Sequence, residues 1–122
     1  MASTLLAVDD SVTMRKVLEI TFAGPDFRMV IADSVDGALQ KFGTEKPDVV
    51  IADVTLEPKS GYELCRAIKR NPGFRDIPVF FISGRTGPED VRRGFDCGAA
   101  DYFAKPIDAG RLVARLREAM GG

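Results

Sequence analysis

The sequence predicts an α/β domain of three layers, with five parallel strands in one sheet and helices on both of its faces. Three observations predict it. Apolar runs of four or five residues alternate with longer stretches of helical period, breakers fall at the joints between them, and 122 residues make the length of one ordinary domain. The expectation is therefore a single domain over residues 1–122. Hydrophobic residues make up 45% and charged residues 29%, which supports a packed core and excludes a disordered chain.

In chain order, Leu5 to Val8 reads as the first strand. A helix follows in which Met14, Val17, Leu18 and Phe22 keep the i, i+3, i+4 rhythm, stopped by Gly24-Pro25. Met29 to Ala32 is the second strand. Ser34 is placed to cap the next helix, whose stripe is Val35, Ala38, Leu39 and Phe42. After Pro47 comes the third strand, Val49 to Ala52. The third helix carries Leu64, Cys65 and Ile68 and ends at Asn71-Pro72-Gly73. Val79 to Ile82 is the fourth strand, and beyond Gly87-Pro88 the fourth helix carries Val91, Phe95 and Gly98. Tyr102-Phe103 is the fifth strand; past Pro106 the last helix carries Leu112, Val113, Leu116 and Met120. The apolar runs lack polar alternation, as expected of strands buried on both faces of a parallel sheet. Right-handed crossovers leave few topologies, and the flavodoxin-like order 2-1-3-4-5 suits this size. In such a (βα)5 sandwich a ligand site lies beyond the carboxyl ends of the strands.

Charge and composition exclude several classes of function. The formal net charge is −1, from 17 basic and 18 acidic residues, which is no footprint for nucleic acid or an anionic membrane. The longest apolar runs fall far short of the ~20 residues that cross a bilayer. The N-terminus enters the first strand without a basic region or cleavage pattern, so a cytoplasmic protein is expected. Cys65 and Cys97 read as small core residues in a reducing compartment. The chain has no histidine, which removes histidine-based triads and metal sites. Any phosphohistidine must come from a partner.

The residues that follow each strand carry the chemistry. Strand 1 runs into Asp9-Asp10, strand 3 into Asp53, strand 4 into Ser83, and strand 5 is followed by Lys105-Pro106. The fold would bring three carboxylates, a hydroxyl and an ammonium to one rim. Clustered carboxylates repel one another and shift upward in pKa unless a hard cation joins them. Mg²⁺ suits such a set, because it takes a few carboxylate oxygens together with water and phosphate. One carboxylate can then attack a phosphoryl group, while the metal, Lys105 and Ser83 neutralise the transferring oxygens. Asp53 alone would read as a turn residue and Asp9-Asp10 as helix-start acids; the set together favours the chemical reading.

The set resembles the receiver domains of two-component response regulators over residues 4 to 120. Their pattern is an acidic pair after the first strand, an acceptor Asp after the third, Ser or Thr after the fourth and Lys-Pro after the fifth. The resemblance implies that Asp53 is the phosphoacceptor, and that Asp10 and Asp53 contact Mg²⁺ directly while Asp9 helps through water. It also implies that the Thr55 backbone carbonyl adds a metal ligand and that the peptide before Pro106 is cis. Tyr102 would be the aromatic switch, turning inward as Ser83 closes on the phosphate, with Thr55 and Arg85 tuning the phosphoryl lifetime. One position departs from the pattern: Glu57 stands where receivers commonly carry Pro, with Pro58 next and Gly61 in its usual place. Glu57 is expected to point to solvent.

The resemblance implies a sensor histidine kinase or a histidine phosphotransfer protein as donor. A downstream target or output domain would be met by the fourth helix, fifth strand and fifth helix, with a phosphorylation-dependent homodimer as an option and no direct contact with nucleic acid or membrane. Arg92, Arg93, Arg111 and Arg115 on those helices read as solvated charge. The chain is expected to be either a stand-alone receiver or a piece of a longer regulator, and a signalling module in place of an enzyme. Three alternatives stand beside this reading. A receiver that binds partners without phosphorylation needs a reason such as Glu57. An Asp-nucleophile phosphatase of the haloacid-dehalogenase type needs a second Asp two residues on, where Thr55 stands. A flavin carrier on the same fold needs a Ser/Thr/Gly phosphate loop where Asp9-Asp10 stand.

Overall fold

Parallel pairing joins β1 (Ser3–Val8) to β2 (Phe27–Ala32) on one side and to β3 (Val49–Asp53) on the other; β4 (Val79–Ser83) and β5 (Asp101–Ala104) extend the sheet beyond β3. The resulting order is β2-β1-β3-β4-β5, as the alternation of strand and helix predicts. The helices are α1 (Val12–Thr21), α2 (Val35–Glu45), α3 (Gly61–Arg70), α4 (Pro88–Asp96) and α5 (Ala109–Ala119). This computed structural model describes residues 2–120; Met1, Gly121 and Gly122, which the expected domain includes, lie outside the described residues.

Because side chains alternate along a strand, each central strand feeds two cores. Leu6, Val8, Val50, Ala52 and Phe81 pack with Val35, Ala38 and Phe42 of α2 and Leu64, Cys65 and Ile68 of α3. Leu5, Ala7, Val49, Ile51, Phe80 and Ile82 pack on the other face with Leu18, Phe22, Leu112 and Leu116 from the α1 and α5 segments. The strands of the sheet's centre, β3 and β4, are buried along their whole length. Among the described residues no helix is long and apolar enough to cross a membrane.

Two helical stripes differ from the expected ones. On α1, Val17 is 38% exposed, leaving Leu18 as the buried residue of the helix. On α4 the inward residues are Gly94 and, at the C-cap, Cys97, whereas Phe95 is 46% exposed and Gly98 is exposed. The reason is steric. A Cβ on Gly94 would lie 2.8 Å from Cδ2 of Tyr102 and 3.1 Å from Cδ2 of Phe81, so these rings occupy the place that a larger inward side chain needs. Both cysteines are buried as expected, and the Cys65 thiol donates to the Cys97 carbonyl at 3.2 Å.

Helix starts are set by local chemistry. Ser34 caps α2 through the Gly37 amide at 3.0 Å. Ser60 and Glu63 form a reciprocal capping box at the start of α3, with bonds of 3.3 and 2.9 Å. Ser60→Ala is expected to cost about 1 kcal/mol, read as a lower urea midpoint at unchanged slope.

Candidate functional site

Parallel strands end on one side of the sheet, so whatever follows them is brought together there. Asp53 is the last residue of β3 and Ser83 the last of β4, while Asp9 and Asp10 follow β1 directly. Lys105 follows β5, its amide bonded to the Ser83 carbonyl at 2.9 Å. The Lys105–Pro106 peptide is cis, as the family pattern implies; Glu57–Pro58 is cis as well, which the sequence did not indicate.

The expected acid cluster forms. Carboxylate oxygens of Asp9, Asp10 and Asp53 lie within 4.8 Å of one another, Asp9 and Asp53 buried and Asp10 exposed. Lys105 Nζ bridges two of them, at 2.8 Å from Asp53 Oδ2 and 3.2 Å from Asp9 Oδ2. Asp53 Oδ1 accepts from the amide and the hydroxyl of Thr55, both at 3.0 Å. Asp9 Oδ1 accepts from the Ser11 amide at 2.9 Å. Burial pushes the Asp9 carboxyl above its ordinary range, and the neighbouring Asp53 adds to this, against the opposing pull of Ser11 and Lys105. For Lys105, burial favours the neutral amine, but the hydrogen bond and charge of Asp53, followed by those of Asp9, outweigh it and leave the pKa raised.

The remaining expected residues take up definite places. Ser83 is fully buried, and its Oγ accepts from the Arg85 amide at 3.0 Å. Among the described residues no hydrogen bond joins it to Asp53. Tyr102 donates its hydroxyl to the Arg85 carbonyl, and its ring stands edge-on to Phe81 at 6.0 Å. Glu57 is exposed, lining a cleft of about 240 Å³ with Arg85, Asp90 and Arg93. The arginines expected to be solvated are more engaged than that. Arg93 lies 4.4 Å over the Tyr62 ring, Arg111 lies 5.7 Å over Phe103, and Arg115 pairs with Asp101 at 3.0 Å.

Several contributors escape a sequence reading. The Thr55 hydroxyl holds Asp53, a contact added to the carbonyl ligand and the tuning of phosphoryl lifetime expected of this residue; its place two residues on is the signal that an Asx-type turn offers. Arg15 reaches the Asp9 carbonyl at 2.8 Å from α1. Gly61 lets the start of α3 press on the acceptor strand, because a Cβ there would lie 2.2 Å from the Asp53 carbonyl oxygen. Tyr62, next to it, is buried and donates to the Asp90 carbonyl of α4 at 3.1 Å.

Comparison with known proteins agrees with this geometry. A family model described as the response regulator receiver domain matches residues 5–117. The phosphate regulon transcriptional regulatory protein PhoB of Escherichia coli is 33% identical over 120 residues, covering 98% of this chain and 52% of PhoB. The response regulator PleD of Caulobacter vibrioides is 32% identical over 117 residues, 96% of this chain and 26% of PleD. The chain thus spans about half the length of PhoB and about a quarter of PleD. Among solved structures, the signal receiver domain of a signal transduction histidine kinase from Syntrophus aciditrophicus superposes with a TM-score of 0.90 at 30% identity, covering 99% of this chain and 92% of that one. The chemotaxis response regulator CheY4 of Vibrio cholerae gives 0.89 at 26%, covering 98% and 99%.

Proposed function

The chain belongs to the response regulator receiver domain family, and on that footing we propose that Asp53 accepts a phosphoryl group from a partner's phosphohistidine. The observation that carries this is the seating of Asp53: a buried carboxylate at the end of a central strand, 2.8 Å from a lysine ammonium and beside two further aspartates. In the transfer, a carboxylate oxygen of Asp53 bonds to phosphorus while the phosphorus–nitrogen bond breaks, and the electron pair leaves with the imidazole. Lys105 holds the carboxylate in place before transfer and faces the phosphoryl oxygens after it. The Ser83 hydroxyl, whose oxygen accepts from the Arg85 amide, keeps its own proton to donate to the same group.

The donor set fits a hard divalent cation. Among the described residues Lys105 is the cation paired with both Asp9 and Asp53, one positive charge for two carboxylates with Asp10 alongside; burial is the main cause of the raised Asp9 pKa, and the neighbouring Asp53 charge adds to it. We assign Asp10 and Asp53 as direct Mg²⁺ ligands, Asp9 as a ligand through water, and the Thr55 carbonyl as a further one. Bound there, Mg²⁺ supplies charge neutralisation for the phosphoryl oxygens. The donor protein is a sensor histidine kinase or a histidine phosphotransfer protein, and the output is read by a target or linked domain on the surface of α4, β5 and α5. A cytoplasmic setting, where such donors meet ATP, suits this role.

The test is incubation with Mg²⁺ and acetyl phosphate, followed by intact mass measurement. A gain of one phosphoryl group that vanishes with a chelator is expected; no gain would end the proposal. Asp9→Asn supplies a second check. A carboxyl whose pKa is raised on folding binds its proton more tightly in the folded state, so stability falls as pH rises from its unfolded value through its raised folded value. Above the raised folded value Asp9→Asn is therefore expected to stabilise the metal-free protein and to weaken its stabilisation by Mg²⁺, both read from thermal melts.

A further inference from the structure

We infer that Tyr62 is a positioning residue, whose hydroxyl holds α4 in the place it takes while Asp53 is unmodified. The inference begins with Gly61. Its amide donates to the Val54 carbonyl at 3.1 Å and it leaves no room for a Cβ beside the Asp53 carbonyl, so the head of α3 is fixed to the end of the acceptor strand. Tyr62 is the next residue and is 4% exposed. Its ring stands edge-on to Phe81 at 5.4 Å. From there its hydroxyl donates to the Asp90 carbonyl at 3.1 Å, and the Arg93 guanidinium lies 4.4 Å over its ring. Asp90 and Arg93 are three residues apart on α4, so one side chain of α3 grips that helix at two points about a turn apart.

At its other end the Cys65 thiol holds the α4 C-cap by donating to the Cys97 carbonyl, and between the two ends the helix brings few side chains to the core. Its N-cap, Gly87, makes no side-chain cap bond, and the residue it buries is Gly94, which brings no side chain to the core. Tyr102 approaches from β5, its ring against Gly94 and its hydroxyl on the Arg85 carbonyl just before the helix. Both tyrosines lean on Phe81. The helix and its leading loop are therefore tied at two carbonyls by two phenols, one from α3 and one from β5. Burial, with the Tyr102 hydroxyl next to it, raises the Tyr62 phenol above its ordinary range, which keeps it a donor under all working conditions. The link to switching rests on the proposed role of Asp53: a shift of α4 on phosphorylation has to give up the Tyr62 bond.

Tyr62→Phe keeps the ring and its contacts and removes one donor. Amide exchange in α4 is expected to speed up about fivefold, the weight of one ordinary buried hydrogen bond, with exchange in β1, β3 and α5 unchanged. The beryllofluoride concentration that half-converts the Mg²⁺-loaded protein is expected to fall by about the same factor, because a contact made in the unmodified arrangement no longer opposes conversion. Unchanged exchange in α4, faster exchange spread evenly through the domain, or a midpoint that stays or rises would each overturn the inference. If the wild type takes up no beryllofluoride, the reading of Asp53 falls, and α4 exchange alone then decides whether Tyr62 tethers the helix.

Discussion

Asp53→Asn is expected to end phosphoryl uptake from acetyl phosphate, a loss of more than about a thousandfold, and to leave the protein folded. The amide keeps the shape of the carboxylate and can still accept from the Thr55 amide and hydroxyl, which hold Oδ1 at 3.0 Å. It has no anionic oxygen to attack phosphorus. The folded state tolerates the change because Lys105 keeps Asp9 as a partner at 3.2 Å and the repulsion between the two buried carboxylates disappears. Intact mass and peptide mapping measure the loss, and circular dichroism measures the fold. Uptake by Asp53→Asn at the wild-type rate would move the acceptor to Asp9 or Asp10.

Gly61→Ala is expected to be the most damaging single methyl group that can be added near the site. The new Cβ would lie 2.2 Å from the Asp53 carbonyl oxygen and 2.9 Å from both the Asp53 carbonyl carbon and the Val54 Cα. All three are backbone atoms of the acceptor strand and its exit, so no side-chain rotation relieves the clash. Either α3 lifts, opening the core around Leu64, Cys65 and Ile68, or the end of β3 shifts. The cost is about 3 kcal/mol in urea unfolding, within the range of overpacked cores. A displacement of about 1 Å at Asp53 also lowers its phosphorylation rate by about a hundredfold, so both readouts are expected to move together.

Much of the fold and of the site was legible from residue order. The five apolar runs were unbroken because both faces of the strands are buried, and their parallel ends gathered Asp9, Asp10, Asp53, Ser83 and Lys105 as the topology requires. The register of α4 was not legible. Val91, Phe95 and Gly98 offered an apolar stripe, yet the inward face is Gly94 and Cys97, because the Tyr102 ring from β5 fills that space and a glycine gives no hydrophobic signal. Tyr62 was hidden for a related reason. Its partner at the hydroxyl is a backbone carbonyl, and no pattern of side chains announces a carbonyl. Arg93, Arg111 and Arg115 looked like surface charge because a sequence does not show which rings lie beneath them.

The grip of two phenols on α4 has a spectroscopic consequence. The chain contains no tryptophan and two tyrosines, Tyr62 and Tyr102, and both stand edge-on to Phe81. Its tyrosine emission therefore arises from one corner of the molecule. Emission followed during a thermal or urea ramp reports the departure of α4 from the sheet, whereas far-ultraviolet ellipticity reports the helices and strands as a whole. Where the two curves separate, the corner that carries the signal is leaving before the rest of the fold.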